Sequence, residues 1–276
     1  MQLTKMQLKD KVCLITGASG TIGLAIAKRF HQEGAKLALH SYANSIAAAE
    51  LQNQVCVMQI RADITNSQQI QRLVDEVIIK FGTLDCLVNC TGILGPVGAT
   101  AEIHEKDWID AININLIGSF CLSHAALKPM LAKQRGKIVH FSGGGAAYGR
   151  PFYSAYSASK AALVRFCESL AEEVRESNID VNTIAPGPVN SRMWDQLRVL
   201  ANPDEKTVAE LKKMEETGGV PPDRAADLAV FLASDRSNGL TGRLISAVWD
   251  DWNSFEQRIP ELMRSEAGTL RRVPLV

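Results

Sequence analysis

Short apolar runs alternate along this chain with stretches of helical periodicity, and that alternation leaves few folds open. Val12-Cys-Leu-Ile-Thr16 is bounded by glycine, and Ile22 to Gly34 then carries apolar residues at helical spacing up to a glycine stop. The rhythm repeats as strand Lys36 to His40, helix Ser45 to Gln52, strand Val55 to Ile60, helix Ser67 to Phe81 and strand Cys86 to Asn89. It continues as a helical region from Glu105 to Lys133, strand Lys137 to Phe141, helix Ser154 to Ser177, strand Asp180 to Ile184, helix Ala225 to Ala233 and strand Arg243 to Val248. Strands separated by helices pair in parallel and are covered on both faces, so the expected fold class is α/β with a doubly wound parallel sheet. A chain of 276 residues with 46% apolar content can bury one large core, and no shift in composition marks a second domain. A polar, helix-prone insertion at residues 191–219 interrupts the rhythm; it is either a lid over a site or a packed pair of surface helices. From Trp249 to Val276 the sequence is a tail rich in charge.

The charge balance narrows the partners. Thirty basic and thirty acidic residues give a formal net charge of zero with the basic residues dispersed, so nothing concentrates a polyanion, and nucleic acid is not expected as a partner. No apolar run approaches the roughly 20 residues needed to span a bilayer, and Met1 to Asp10 is polar, so neither a membrane nor a secretory route is expected and the reading is cytoplasmic. The six cysteines lie mostly inside apolar runs without the paired spacing of a zinc site, which predicts free thiols and no metal.

The first strand meets the first helix through Thr16-Gly-Ala-Ser-Gly-Thr-Ile-Gly23. Missing side chains there let backbone amides and the positive helix end approach a pyrophosphate, which makes Gly17, Ser19, Gly20, Thr21, Ile22 and Gly23 candidate dinucleotide contacts in a single-domain Rossmann-type fold. An acid at the end of the second strand would bind a ribose hydroxyl and repel a 2′-phosphate, yet Leu39-His-Ser-Tyr-Ala-Asn44 contains none. NADP(H) is therefore the expected cofactor ahead of NAD(H), with Ser41 or Asn44 as donors, although that segment holds no arginine to neutralise the phosphate.

Tyr156-Ser-Ala-Ser-Lys160 puts a phenol and an ammonium on one helical face at i and i+4. An ammonium about 4 Å from a phenol favours the phenolate by up to about 4 kcal/mol at an effective dielectric of 20, roughly three pKa units before desolvation is subtracted. Alone, the pair reads more readily as an interfacial tyrosine beside an exposed lysine. Its surroundings favour chemistry: Ile138-Val-His-Phe-Ser-Gly-Gly-Gly145 leads to it, and strands carrying Asp63 and Asn89 end on the same edge.

With these motifs in place, the sequence from Lys9 to Val248 resembles the short-chain dehydrogenase/reductase family. The resemblance matches the glycine turn to Thr16–Gly23, the adenine-contacting acid to Asp63 with Ile64 after it, the stabilising strand motif to Asn89, Thr91 and Gly92, and the active-site asparagine to Asn115. It matches the catalytic tyrosine and lysine to Tyr156 and Lys160, and the nicotinamide-contacting segment to Pro186, Gly187, Val189 and Ser191. What it implies is a small-molecule carbonyl or alcohol substrate and a homodimer or homotetramer. Tyr156 would exchange a proton with the substrate oxygen, Lys160 would hold the nicotinamide ribose and lower the tyrosine pKa, and Asn115 would position a water in a proton relay.

The departures from the family pattern are specific. Thr21 replaces the middle glycine of the turn, with Gly20 one place earlier, and Cys90-Thr91 stands where asparagine and alanine are usual. Gly143 occupies the position of the catalytic serine; Ser142 is the first candidate to supply that hydroxyl, with Ser154 or a water as alternatives. Trp249-Asp-Asp-Trp252 could form an aromatic wall with acceptors for a polyhydroxylated substrate, or anchor a subunit contact. Two other functions stay open: a dinucleotide-binding scaffold weakened by the serine change, and a lyase or epimerase that uses nicotinamide transiently.

Overall fold

The apolar runs become strands, most of them buried on both faces, in the computed structural model of the chain, which describes residues 6–44, 46, 51, 54–200, 203–273 and 275. They are β1 (Val12–Thr16), β2 (Lys36–Ser41), β3 (Val57–Arg61), β4 (Cys86–Asn89), β5 (Gly136–Phe141), β6 (Ile179–Ala185) and β7 (Leu244–Ser246). They form a 7-stranded sheet in the order β3-β2-β1-β4-β5-β6-β7, every pairing parallel. The chain winds outward from β1 through β2 to β3 and then restarts at β4 on the other side of β1. That reversal opens a crevice at the carboxyl ends of β1 and β4, the position at which open α/β sheets bind ligands.

Period-two alternation divides each strand between two cores. Cys13 and Ile15 of β1 join Leu37, Leu39 and Val139 under α1 (Thr21–Gln32) and α8 (Pro222–Ala233), where Phe30 and Phe231 are buried. Leu14 joins Leu87, Ile138 and Val181 under α2 (Ser67–Phe81), α4 (Gly118–Ala132) and α5 (Ser154–Glu173). Each such side chain contributes about 1.5–3 kcal/mol by leaving water, which is why the strands read as continuous apolar runs. Asn66 caps α2 by accepting from the Gln68 and Gln69 amides, and Gly82 ends it at φ 80°.

Three expectations are refined in detail. The helical region from Glu105 to Lys133 is α3 (Glu105–Ile112), one wide π turn at Asn113–Ile117, and then α4. The insertion folds as α6 (Arg192–Arg198) and α7 (Glu205–Thr217). The tail holds a further helix, α9 (Phe255–Arg264), whose Phe255, Ile259, Leu262 and Met263 pack on the first core; beyond it Gly268 accepts a hydrogen bond from Leu244 N at 2.7 Å and covers the outer edge of β7. The helix expected from Ser45 to Gln52 lies mostly outside the described residues, of which Ile46 and Leu51 are buried. All six cysteines are free. Among the described residues no helix is long and apolar enough to cross a membrane, and no group of three or more His, Cys, Asp or Glu is placed to hold a metal.

Candidate active site

The glycine turn closes tightly on β4. Gly17 has φ +67°, and a Cβ there would stand 3.0 Å from both the Cys90 carbonyl carbon and the Thr91 nitrogen; at Gly23 it would stand 2.3 Å from the Gly17 oxygen. Glycine is therefore required at both positions for the turn to keep this shape. Gly20 caps α1 with no side-chain hydrogen bond and no acid in the first turn, so the first amides of α1 keep their donors for an anion. Thr21 simply begins α1, with Ile22 half-buried behind it, and the shifted glycine leaves the turn intact. These features fit a dinucleotide diphosphate.

A buried polar chain fixes the strand ends around the turn. Thr91 Oγ1 donates to Thr16 Oγ1 at 3.2 Å, Thr16 Oγ1 donates to Asn89 Oδ1 at 2.6 Å, and Asn89 Nδ2 donates to Ser119 Oγ at 2.8 Å and to His140 Nδ1 at 3.1 Å. His140 Nδ1 thus accepts, which leaves Nε2–H to donate to Ser123 Oγ at 2.8 Å. Burial holds this imidazole neutral, with its pKa pushed down to about 3 and the nearby Lys160 charge acting in the same direction.

Asn115 sits in the π turn with its side chain fully committed. Its Oδ1 accepts from Ile93 N at 2.8 Å, and its Nδ2 donates to Ile93 O at 2.9 Å and Ser159 Oγ at 3.0 Å. It therefore clamps the loop after β4 to α5. Lys160, 4% exposed, donates from Nζ to the Phe141 carbonyl at 2.8 Å and passes the place where a Cβ on Gly92 would lie 3.2 Å away. Burial pulls its pKa down to about 8.

Tyr156 stands one turn earlier on α5, its ring centroid 5.9 Å from Lys160 Nζ. The expectation that Lys160 draws the phenol into working range is not met by the protein groups alone: burial pushes Tyr156 up to about 12, and the opposing charge is that of Arg150. The glycines after β5 now have a reason. A Cβ would meet the Tyr156 hydroxyl at 2.2 Å on Gly143, the Tyr148 hydroxyl at 2.9 Å on Gly144, and Ser157 Oγ at 2.4 Å on Gly145. The phenol fills the space of the family's serine. Gly143 is fully extended (φ −165°, ψ 172°), and the Ser142 Oγ beside it is buried without a hydrogen-bond partner among the described residues. Ser154 accepts from Trp108 Nε1 at 3.2 Å.

The remaining candidates line the same edge. Ser41 is buried at the end of β2, where His40 O receives Ala18 N at 2.9 Å; Asp63 accepts from Thr65 N and Oγ1; and Ile64 packs against Gly118. Gly187 (φ +78°) turns the chain after β6 and Pro186, and Val189 bridges to Gly219, which seats α6 and α7 beside the site. Ser191 precedes α6, whose first residue, Arg192, donates to Ser19 O at 3.3 Å. From α7, Thr207 meets the Tyr153 hydroxyl at 2.7 Å and Glu210 pairs with Arg150. The insertion is thus a pair of helices packed beside the site. Sequence reasoning missed Arg150 and Arg192, although both lie within a few residues of the motifs. Trp252 turns inward against Phe231, with ring centroids 6.2 Å apart, while Trp249 is 75% exposed, so the two build no common wall.

The family model described as short chain dehydrogenase matches residues 11–200. The 3-oxoacyl-(acyl-carrier-protein) reductase of Thermotoga maritima is 33% identical over 248 residues, covering 87% of this chain and 97% of the relative. Among solved structures, Thermoplasma acidophilum aldohexose dehydrogenase superposes with a TM-score of 0.75 at 27% identity, covering 86% of this chain and 92% of that one. An actinorhodin polyketide ketoreductase variant with NADPH gives 0.74 at 26% identity, covering 86% and 95%.

Proposed function

The chain belongs to the short-chain dehydrogenase/reductase family of NAD(P)-dependent oxidoreductases, and from that premise we propose that it transfers a hydride between NADP(H) and a carbonyl/secondary-alcohol pair with Tyr156 as general acid/base. One observation carries the reading: the Tyr156 hydroxyl lies against the Gly143 backbone at the carboxyl edge of the sheet, on the helix that buries Lys160.

The amides of Gly17 to Gly23 would hold the diphosphate, Asp63 and Ile64 the adenine, Ser41 the ribose end, and Pro186, Gly187, Val189 and Ser191 the nicotinamide amide. Asn89, Thr91 and Gly92 support the crevice floor. When bound, the nicotinamide supplies or accepts the hydride. In reduction Tyr156 Oη gives its proton to the substrate oxygen as the carbonyl carbon is reduced. Burial holds that hydroxyl protonated at neutral pH, the form in which it has a proton to give. Lys160 would hold the ribose, and Asn115 fixes the loop beside it. The exposed Ile117 and Phe120 of the π turn and α4 offer an apolar face for a homodimer or homotetramer.

Replacing Tyr156 by Phe is expected to lower turnover about 10²–10⁴-fold while dinucleotide affinity, read by fluorescence titration, moves by less than about threefold. Turnover that survives the change refutes the assignment. The absence of a serine at Gly143 favours a second reading, a dinucleotide-binding scaffold. Tight NADPH binding with no oxidation of it across a carbonyl panel would select that reading.

A further inference from the structure

The segment after β2 contains no arginine, yet the sheet supplies one from the neighbouring strand. β2 and β3 pair in parallel with Ser41 opposite Arg61, the last residue of each strand. Partners in such a ladder stand about 4.8 Å apart and project to the same face. Both therefore stand at the carboxyl edge, beside the glycine turn that Ala18 N ties to His40 O at 2.9 Å.

From this juxtaposition we infer that Arg61, with Ser41, forms the subsite for the 2′-phosphate of the dinucleotide, so that NADP(H) is selected by an arginine on β3. This rests on the dinucleotide reading above. Arg61 is exposed and makes no hydrogen bond or ion pair with any other described residue, and its guanidinium carries five N–H donors. The nearest acid in sequence, Asp63, is occupied: its Oδ1 accepts from Thr65 N at 2.8 Å and Thr65 Oγ1 at 2.7 Å. Ser41 places a small hydroxyl where an acid would repel a phosphate. Tyr42, 71% exposed, follows directly. A planar guanidinium opposite a phosphomonoester is the arrangement that makes paired, charge-assisted hydrogen bonds.

The test measures dissociation constants of NADPH and NADH for the wild-type chain, Arg61→Ala and Arg61→Lys by fluorescence titration, with 2′,5′-ADP and 5′-AMP as competing probes. The wild type is expected to bind NADPH at least about tenfold tighter than NADH. Arg61→Ala should raise the NADPH constant by about tenfold or more, leave the NADH constant within about threefold, and erase the advantage of 2′,5′-ADP over 5′-AMP. Arg61→Lys should restore part of the difference, because it returns the charge without the fork. Unchanged NADPH affinity in Arg61→Ala, or equal wild-type affinity for the two dinucleotides, overturns the inference and leaves the cofactor reading standing. A wild-type chain that binds neither dinucleotide overturns both.

Discussion

Lys160 is a cation taken almost wholly out of water, and the fold bears a cost for it. Its folded pKa of about 8 lies below the unfolded value of about 10.4, a gap worth about 3 kcal/mol. Between those two values the unfolded chain holds more protons than the folded one, so stability rises with pH across that window; below pH 8 the cost is fully present. Lys160→Met is therefore expected to raise the melting temperature at pH 7 and to raise it less at pH 10, even as activity falls. A lower melting temperature at pH 7 would show that the bond to the Phe141 carbonyl outweighs the desolvation. The i, i+4 pair was legible in the sequence because helical spacing alone decides it. The meaning of Gly143 was not, because the hydroxyl that fills its place arrives from α5. Arg61 escaped for a related reason: its neighbour Ser41 is set by strand register, which no local pattern shows.

At the scale of elements, the inserted helix α7 (Glu205–Thr217) depends on one cap. Asp204 caps α7 by accepting from Lys206 N at 3.0 Å and Thr207 N at 3.2 Å, and its other oxygen takes the Thr207 hydroxyl at 2.6 Å. Thr207 in turn meets Tyr153. Asp204→Ala is expected to cost α7 about 1 kcal/mol and to speed proteolytic cleavage within residues 199–219 while global melting moves little. Cleavage at the wild-type rate would show that α7 is held elsewhere, with the pair of Arg150 and Glu210 the next to remove. Strands and long helices were readable from period and glycine stops. The π turn was not, because its one extra residue leaves the apolar spacing of Ile112, Ile114 and Leu116 looking like helix or strand alike. α9 was passed over inside a charged tail interrupted by Pro260, although Phe255, Ile259 and Leu262 repeat at helical spacing.

Across the whole molecule, the alternation of strand and helix was enough to read the doubly wound sheet, but how its edges are managed could not be read. The strap after α9 covers the β7 edge, Arg243 donates to the Leu262, Ser265 and Ala267 carbonyls, and Glu168, buried on α5, accepts from Leu270 N at 2.7 Å. Removing residues 266–276 is expected to destabilise the chain by about 1–3 kcal/mol, because Glu168 and Arg243 lose buried hydrogen-bond partners, and to promote association through the bared edge. Melting and light scattering unchanged from the full chain would remove the strap from that role. Glu168 and Leu270 are 102 positions apart. A contact of that span costs more loop-closure entropy than a local one, and until it forms the β7 edge is bare. The interval between pairing and closure is when one copy of the chain can recruit another through β7, so the rate at which the strap docks, more than its final strength, sets how concentrated a refolding solution can be.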